Sequence, residues 1–95
     1  MRLEWTCPAI NDLKSASDYV AKDNPRAAKH MSERVREAVE YLADYPNMGH
    51  PGRVAQTREL VISGTPFIAV YRVTGGIVQI LRILHHALRW PQADR

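Results

Sequence analysis

Two adjacent histidines, His85 and His86, lie between Arg82 and the pair Arg89 and Trp90 in the stretch GGIVQILRILHHALRWP, residues 75–91. Histidine can take or give a proton near neutral pH, and arginine can hold a phosphate. Cutting RNA through its own 2′-hydroxyl requires such a base, a donor for the departing oxygen and cations around the phosphorus. Arg82, His85, His86 and Arg89 therefore supply the residue types of an endoribonuclease. Their spacing opposes it. Neighbouring strand residues point to opposite faces, so both histidines can enter one site only if the strand ends between them. Tryptophan and arginine also dominate protein-interface hot spots. The cluster Arg82, His85, His86, Arg89 and Trp90 thus reads as a partner-binding edge before it reads as a catalytic centre.

Upstream, PNMGHPGRVAQT (46–57) carries four Pro and Gly residues that mark a long loop, with His50 and Arg53 as its chemically useful members. Arg58 and Arg72 join Arg53 as further basic candidates for a partner surface. The chain has 13 Lys+Arg against 10 Asp+Glu, a net charge of +3, which favours an acidic partner without specifying one. Cys7 is the single cysteine, excluding an intrachain disulfide and a cysteine-rich zinc site, and no metal or cofactor is expected. The N-terminal MRLEWTCPAINDL has no apolar core of a signal peptide, and no run approaches the ~20 residues of a membrane span. A cytoplasmic protein without membrane attachment is expected.

The elements that would position these residues follow from patterning. With 95 residues there is room for one core, so a single domain over 1–95 is expected. Arg2 to Thr6 alternates as a short strand. Thr6-Cys7-Pro8 then opens a helix over 8–22 with Ile10, Leu13, Ala16 or Ser17, and Val20 on its apolar stripe and Asp12, Lys14, Asp18 and Lys22 facing away. Asn24-Pro25 ends that helix and caps the next. The second helix has Ala28, Met31, Val35, Ala38, Val39, Leu42 and Tyr45 on one side; Lys29–Glu33 and Arg36–Glu40 are expected (i, i+4) ion pairs on the other. So short a connection makes the helices an antiparallel hairpin.

Residues 58–62, 67–73 and 77–84 read as three strands in an antiparallel meander, giving an α+β fold. A two-residue turn at Gly75-Gly76 pairs Thr74 with Ile77, Val73 with Val78 and Arg72 with Gln79. The last strand, IVQILRILHH, is apolar on both faces and should be central. Simple alternation groups Val78, Ile80, Arg82 and Leu84 against Ile77, Gln79, Leu81 and Ile83, and separates Arg72 from Arg82. Leu81→Asp should then bury a charge and destabilise strongly. One helical hairpin covers one face only, so the other is expected to remain an apolar groove awaiting a second polypeptide.

With this order of elements, the sequence resembles the RelE/ParE toxin superfamily of type II toxin–antitoxin pairs. The resemblance is carried over the whole chain by EWTCPAINDL, DYVAKDNPRAA, PNMGHPGR, TRELVISGTPFIAVYRV and VQILRILHHALRWP, and is closer to the ParE branch. It implies a toxin neutralised by a cognate antitoxin, ParD-like or other, whose flexible C-terminal half covers sheet and hairpin. Such pairs are associated with plasmid stabilisation, and DNA is reached only through the antitoxin. RelE-like members are ribosome-dependent messenger endoribonucleases, ParE-like members inhibit DNA gyrase, and a non-toxic antitoxin-binding homologue is a third reading. Ribonuclease members carry a strand arginine where this chain has Ile68, strand lysines where it has Glu59 and Val61, and basic or tyrosine tail residues where it has Ala87 and, nearby, Trp90. The ParE-like reading is therefore preferred.

Overall fold

A computed structural model describes residues 1–86. Strand β1 (Arg2–Trp5) is followed by helices α1 (Cys7–Ala21) and α2 (Pro25–Tyr41), then β2 (His50–Pro51), β3 (Arg58–Val61), β4 (Phe67–Thr74) and β5 (Ile77–His85). The helices start where the caps require. Thr6 Oγ1 accepts from the Ala9 amide at 3.3 Å, Asn24 Oδ1 accepts from the Ala27 amide at 3.1 Å, and a proline occupies the first turn of each helix.

The sheet order is β1-β5-β4-β3-β2, with β1 parallel to β5 and the other neighbours antiparallel. The interior place of β5 is what its two-sided apolarity requires. The turn register also follows the sequence: Thr74 opposes Ile77, Val73 opposes Val78 and Arg72 opposes Gln79. Gly75 and Gly76 have φ of 57° and 77°, the left-handed geometry of the two-residue hairpin turn that matches strand twist. The sheet gains a strand beyond those expected, because His50 and Pro51 pair with Glu59 and Arg58 inside the anticipated loop.

Alternation fails in the middle of β5. Tyr71 opposes Ile80 but Val70 opposes Arg82, so Leu81 is an extra residue in a β-bulge. The bulge reverses the parity of everything after it. Ile83 joins Val78 and Ile80 in the core under the helices, Leu81 is only half-buried, and Arg82 comes opposite Val70, two residues along β4 from Arg72. The expected separation of Arg72 and Arg82 onto opposite faces is thereby overturned.

The core packs Ala9, Leu13, Val35, Ala38, Val39 and Leu42 of the helical layer onto Leu60, Ile62, Phe67, Ala69, Tyr71, Val78, Ile80 and Ile83. Three helix assignments need correction. Ala9, fully buried, takes the place expected for Ile10, which is half exposed; Tyr45 is exposed past the end of α2; and Asp12 turns inward to Arg82. The expected pairs Lys29–Glu33 and Arg36–Glu40 do not form, whereas Lys14–Asp18 does at 3.0 Å. Such exposed pairs contribute little, so solvated alternatives compete with them.

The face away from the helices is not the expected open groove. In the isolated chain Val70 is 0%, Leu84 4% and Ile68 8% exposed. Val61, paired with Ile68 on the same face, stays 62% exposed, so this side is closed over β4 and β5 but not at the end of β3.

Candidate functional site

The end of β5 brings the two histidines together. Because β5 ends at His85 and the chain turns at His86, the rings escape strand alternation and stack with centroids 5.1 Å apart. The Phe67 ring meets His85 edge-on at 5.7 Å, and the His86 amide donates to the Pro66 carbonyl at 2.8 Å. Both histidines are exposed, so this corner is fixed in backbone yet open to solvent. Arg89 and Trp90, and with them Ala87, lie outside the described residues.

Arg82 is held by α1. Its Nε and Nη2 donate to Asp12 Oδ2 and Oδ1 at 2.7 and 2.9 Å, and the Ile83 amide donates to Oδ2 at 3.0 Å. The bonds to Asp12 raise the Arg82 pKa above its ordinary value despite partial burial, so it remains a cation. Thr6 Oγ1 completes the arrangement by facing the carbonyls of Ile80 and Leu81 at 2.8 and 3.1 Å. The bulge is thus fastened to the first turns of α1.

Arg53 and Arg58 also have intramolecular partners. Arg53 donates from its backbone amide, Nε and Nη2 to Glu59 at 3.0, 3.1 and 3.1 Å. Arg58 grips the loop carbonyls of Gly49 and Asn47, and buried Tyr71 donates to the Pro46 carbonyl at 2.7 Å while accepting from the Gly49 amide at 2.9 Å. Gly49 is required there, since a Cβ would lie 2.7 Å from Tyr71 Oη and 2.8 Å from the Glu59 carbonyl oxygen. The loop carrying His50 is therefore built on buried groups, and Arg53 and Arg58 serve its architecture. On the sheet, Arg72 Nε donates to Gln79 Oε1 and Gln79 Nε2 donates to Glu4 Oε1, both at 2.8 Å, a polar row over β4, β5 and β1.

Glu59 is 2% exposed. Burial pushes its carboxyl pKa up, but hydrogen bonds from the Arg53 side chain and backbone, aided by the charges of Arg53 and His50, hold it below the ordinary range. A depressed folded-state pKa adds stability above the unfolded value of about 4.3, and that stability is lost as pH falls through the lower folded value. In urea titrations from pH 7 to pH 3, Glu59→Gln should lower stability at pH 7 and flatten the acid limb; an acid limb as steep as the parent's would discount the ion pair.

Sequence reasoning missed Asp12, Glu59 and Tyr71 as the residues that organise the arginines and the loop. Glu59 stood out only as an acid where ribonuclease members carry a lysine, and Asp12 was expected to face away from the apolar stripe of α1. The predicted residues are split among the strand-end corner, the loop and the polar row.

A family model described as the ParE toxin of the type II toxin–antitoxin system, parDE, matches residues 3–90. This chain belongs to the ParE toxin family. The toxin is 42% identical over 91 residues to Y4kP of Sinorhizobium fredii, a protein that carries a toxin name, covering 96% of this chain and 94% of that one. It is 40% identical over 83 residues to the toxin RelE2 of Caulobacter vibrioides, covering 87% and 92%. A solved structure titled as the chromosomal ParDE toxin–antitoxin system from P. aeruginosa superposes with a TM-score of 0.81 at 34% identity, covering 87% of this toxin and 92% of that chain. The protein is thus a type II toxin of the ParE/RelE family, and relatives bear both names. Among the described residues no helix is long and apolar enough to cross a membrane.

Proposed function

We propose that this toxin, a single domain over residues 1–95, acts in the cytoplasm by inhibiting DNA gyrase and is silenced by a cognate antitoxin encoded beside it. The observation that carries the choice of target is the state of the positions a ribonuclease would use. Ile68, aligned with the strand arginine of ribonuclease members, is 8% exposed among the buried residues of β4. Arg53 and Arg58 are bound within the chain, and Arg82 is held on Asp12. At these positions the described cations are already engaged within the chain, and transition-state charge needs donors aimed at it. A target-binding role asks only for an exposed corner, which His85 and His86, backed by the buried Phe67, supply.

One observation favours the ribonuclease alternative: the histidine rings stack rather than diverge. A single comparison separates the readings. Micromolar toxin should block supercoiling of relaxed plasmid by purified gyrase, and leave translated messages uncut in primer extension. Codon-placed cuts that vanish in His86→Ala, with supercoiling unimpeded, would reverse the assignment. Normal growth on induction without antitoxin, with neither effect, would point to the non-toxic homologue.

A further inference from the structure

Two polar residues among the described ones are buried, Glu59 and Ser32, and their surroundings differ. Both carboxylate oxygens of Glu59 accept from Arg53, whereas the hydroxyl of Ser32, a residue 8% exposed, has no hydrogen-bond partner among the described residues. Buried polar groups are paired with protein, with water or with a ligand, so an unpartnered hydroxyl marks a place where one of the last two acts. Ser32 stands on the buried side of α2 between Ala28 and Val35, where alanine would occupy the space and favour the helix more. Helix formation and packing therefore give no reason for a serine there.

Ser32 lines a cavity of about 530 Å³ formed by α1, α2 and the end of β1. That volume suits a small organic ligand. One part of the lining is apolar: half-buried Trp5, buried Leu13, and Ile10, which is 50% exposed. The rest is polar, with Ser17 of α1 and Arg36 of α2 joining Ser32. Like Ser32, neither side chain has a hydrogen bond or ion pair among the described residues, and Arg36 does not pair with Glu40 four residues on. Lys14 and Asp18 also line the cavity but hold each other at 3.0 Å. Arg36 thus supplies the uncompensated charge of the lining, and it is positive.

These groups select the ligand. A guanidinium offers a carboxylate two parallel N–H donors, and serine hydroxyls can add further ones. One unpaired cation balances a carboxylate better than it balances the nearly double charge of a phosphate ester. The Trp5 indole, beside Leu13 and Ile10, suits a flat apolar body. We propose that the cavity between α1, α2 and β1 binds a small aromatic carboxylate, with the carboxylate at Arg36, Ser32 and Ser17 and the ring against Trp5, Ile10 and Leu13. The cavity shares no lining residue with the histidine corner, so the site is separate from the one that meets the target and does not depend on which target that is.

Phenylpropionate, which joins one ring to one carboxylate, is the probe, titrated into isotopically labelled toxin and followed by N–H chemical shifts. Saturable shifts should gather at the Trp5 indole N–H, at Ser17 and Ser32, and at the Arg36 side chain, with a Kd of about 1 mM for so small a molecule. Phenylpropionamide, alike in shape but uncharged, should bind about tenfold more weakly, and phenethyl phosphate should bind no more tightly than the carboxylate. Arg36→Gln should weaken phenylpropionate by about tenfold and Ser32→Ala by about threefold. Arg26→Gln, at an exposed cation on α2 outside the cavity, should stay within about twofold of the parent. Ser32→Ala carries a second readout of opposite sign: the melting temperature of the free toxin should rise or stay unchanged. A lower melting temperature in that variant would make the hydroxyl part of the fold and overturn the proposal. Shifts that fail to saturate, gather away from the cavity or appear equally with the amide would overturn it as well, as would equal weakening by Arg26→Gln and Arg36→Gln. Tighter binding of the phosphate ester would overturn the choice of a carboxylate.

Discussion

Ile80→Asp should abolish cooperative folding or cost more than about 4 kcal/mol, whereas Leu81→Asp, one residue later in the same strand, should cost only about 1–2 kcal/mol. Ile80 is fully buried beneath the helices and opposes Tyr71, itself fully buried. An aspartate there either stays charged without a partner or takes up a proton, and both alternatives are costly in an apolar surrounding. Leu81 is the extra residue of the bulge and is half-buried, so a carboxylate placed there retains contact with water. Ile83→Asp should behave like Ile80→Asp, because parity reverses between them and Ile83 is 3% exposed in the same core. Urea unfolding at pH 7 followed by circular dichroism measures all three. A domain of this size is stabilised by only about 5–10 kcal/mol, so the large losses would be evident even in the folded fraction without denaturant. Equal losses at Ile80 and Leu81 would remove the bulge, as would a larger loss at Leu81 than at Ile83.

The same comparison marks where the sequence was legible. The turn at Gly75-Gly76, the register it fixes, the caps at Thr6 and Asn24 and the interior place of β5 were all readable, because each is set by local residue chemistry or by the balance of apolar and polar faces. The bulge was not. ILRIL satisfies strand patterning in either parity, and only the fastening of β5 to α1 decides which side each residue takes. Asp12 was hidden for a related reason. On a helix, an acid beside the apolar stripe looks solvated until the sheet against which it packs is known. The basic residues Arg53 and Arg58 were visible as charges, but their use within the chain depends on a loop path that sequence does not specify. Charged residues near a loop thus pointed outward to a partner when three of their donors were holding Glu59.

The apolar surface was legible in amount but not in place. Two-sided strands called for more cover than one hairpin provides, yet Ile68, Val70 and Leu84 are buried in the isolated chain. Several of the exposed apolar side chains instead gather around the end of α2, at Tyr41, Tyr45 and Met48, with Val61 of β3 beside them. The expected stripe on α2 included Tyr45, but the helix ends at Tyr41, which leaves that tyrosine exposed beyond it.

Asp12→Ala should destabilise the toxin by about 2–3 kcal/mol, the larger part arising at the backbone of β5. Strand β1 pairs only with Ile77 to Ile80, so beyond Ile80 this flank of β5 has lost its neighbouring strand. Thr6 covers the carbonyls of Ile80 and Leu81, and Asp12 takes the amide of Ile83; two side chains of the α1 entrance replace the missing ladder. Removing the carboxylate leaves a peptide donor short of its acceptor in a partly buried strand and releases Arg82, whose side chain is 36% exposed. Because the guanidinium can regain water, its share is smaller than the fully buried ion-pair range. Arg82→Ala should accordingly cost less than Asp12→Ala, about 1 kcal/mol, since Asp12 keeps its bond from Ile83. The double variant should then cost less than the sum of the two single losses, the shortfall measuring the direct coupling. Amide hydrogen exchange makes the distinction residue by residue: Ile83 should lose protection in Asp12→Ala and retain most of it in Arg82→Ala. Equal loss in both would mean that the arginine, not the carboxylate, holds the strand, and the fastening would have to be reassigned to the ion pair alone.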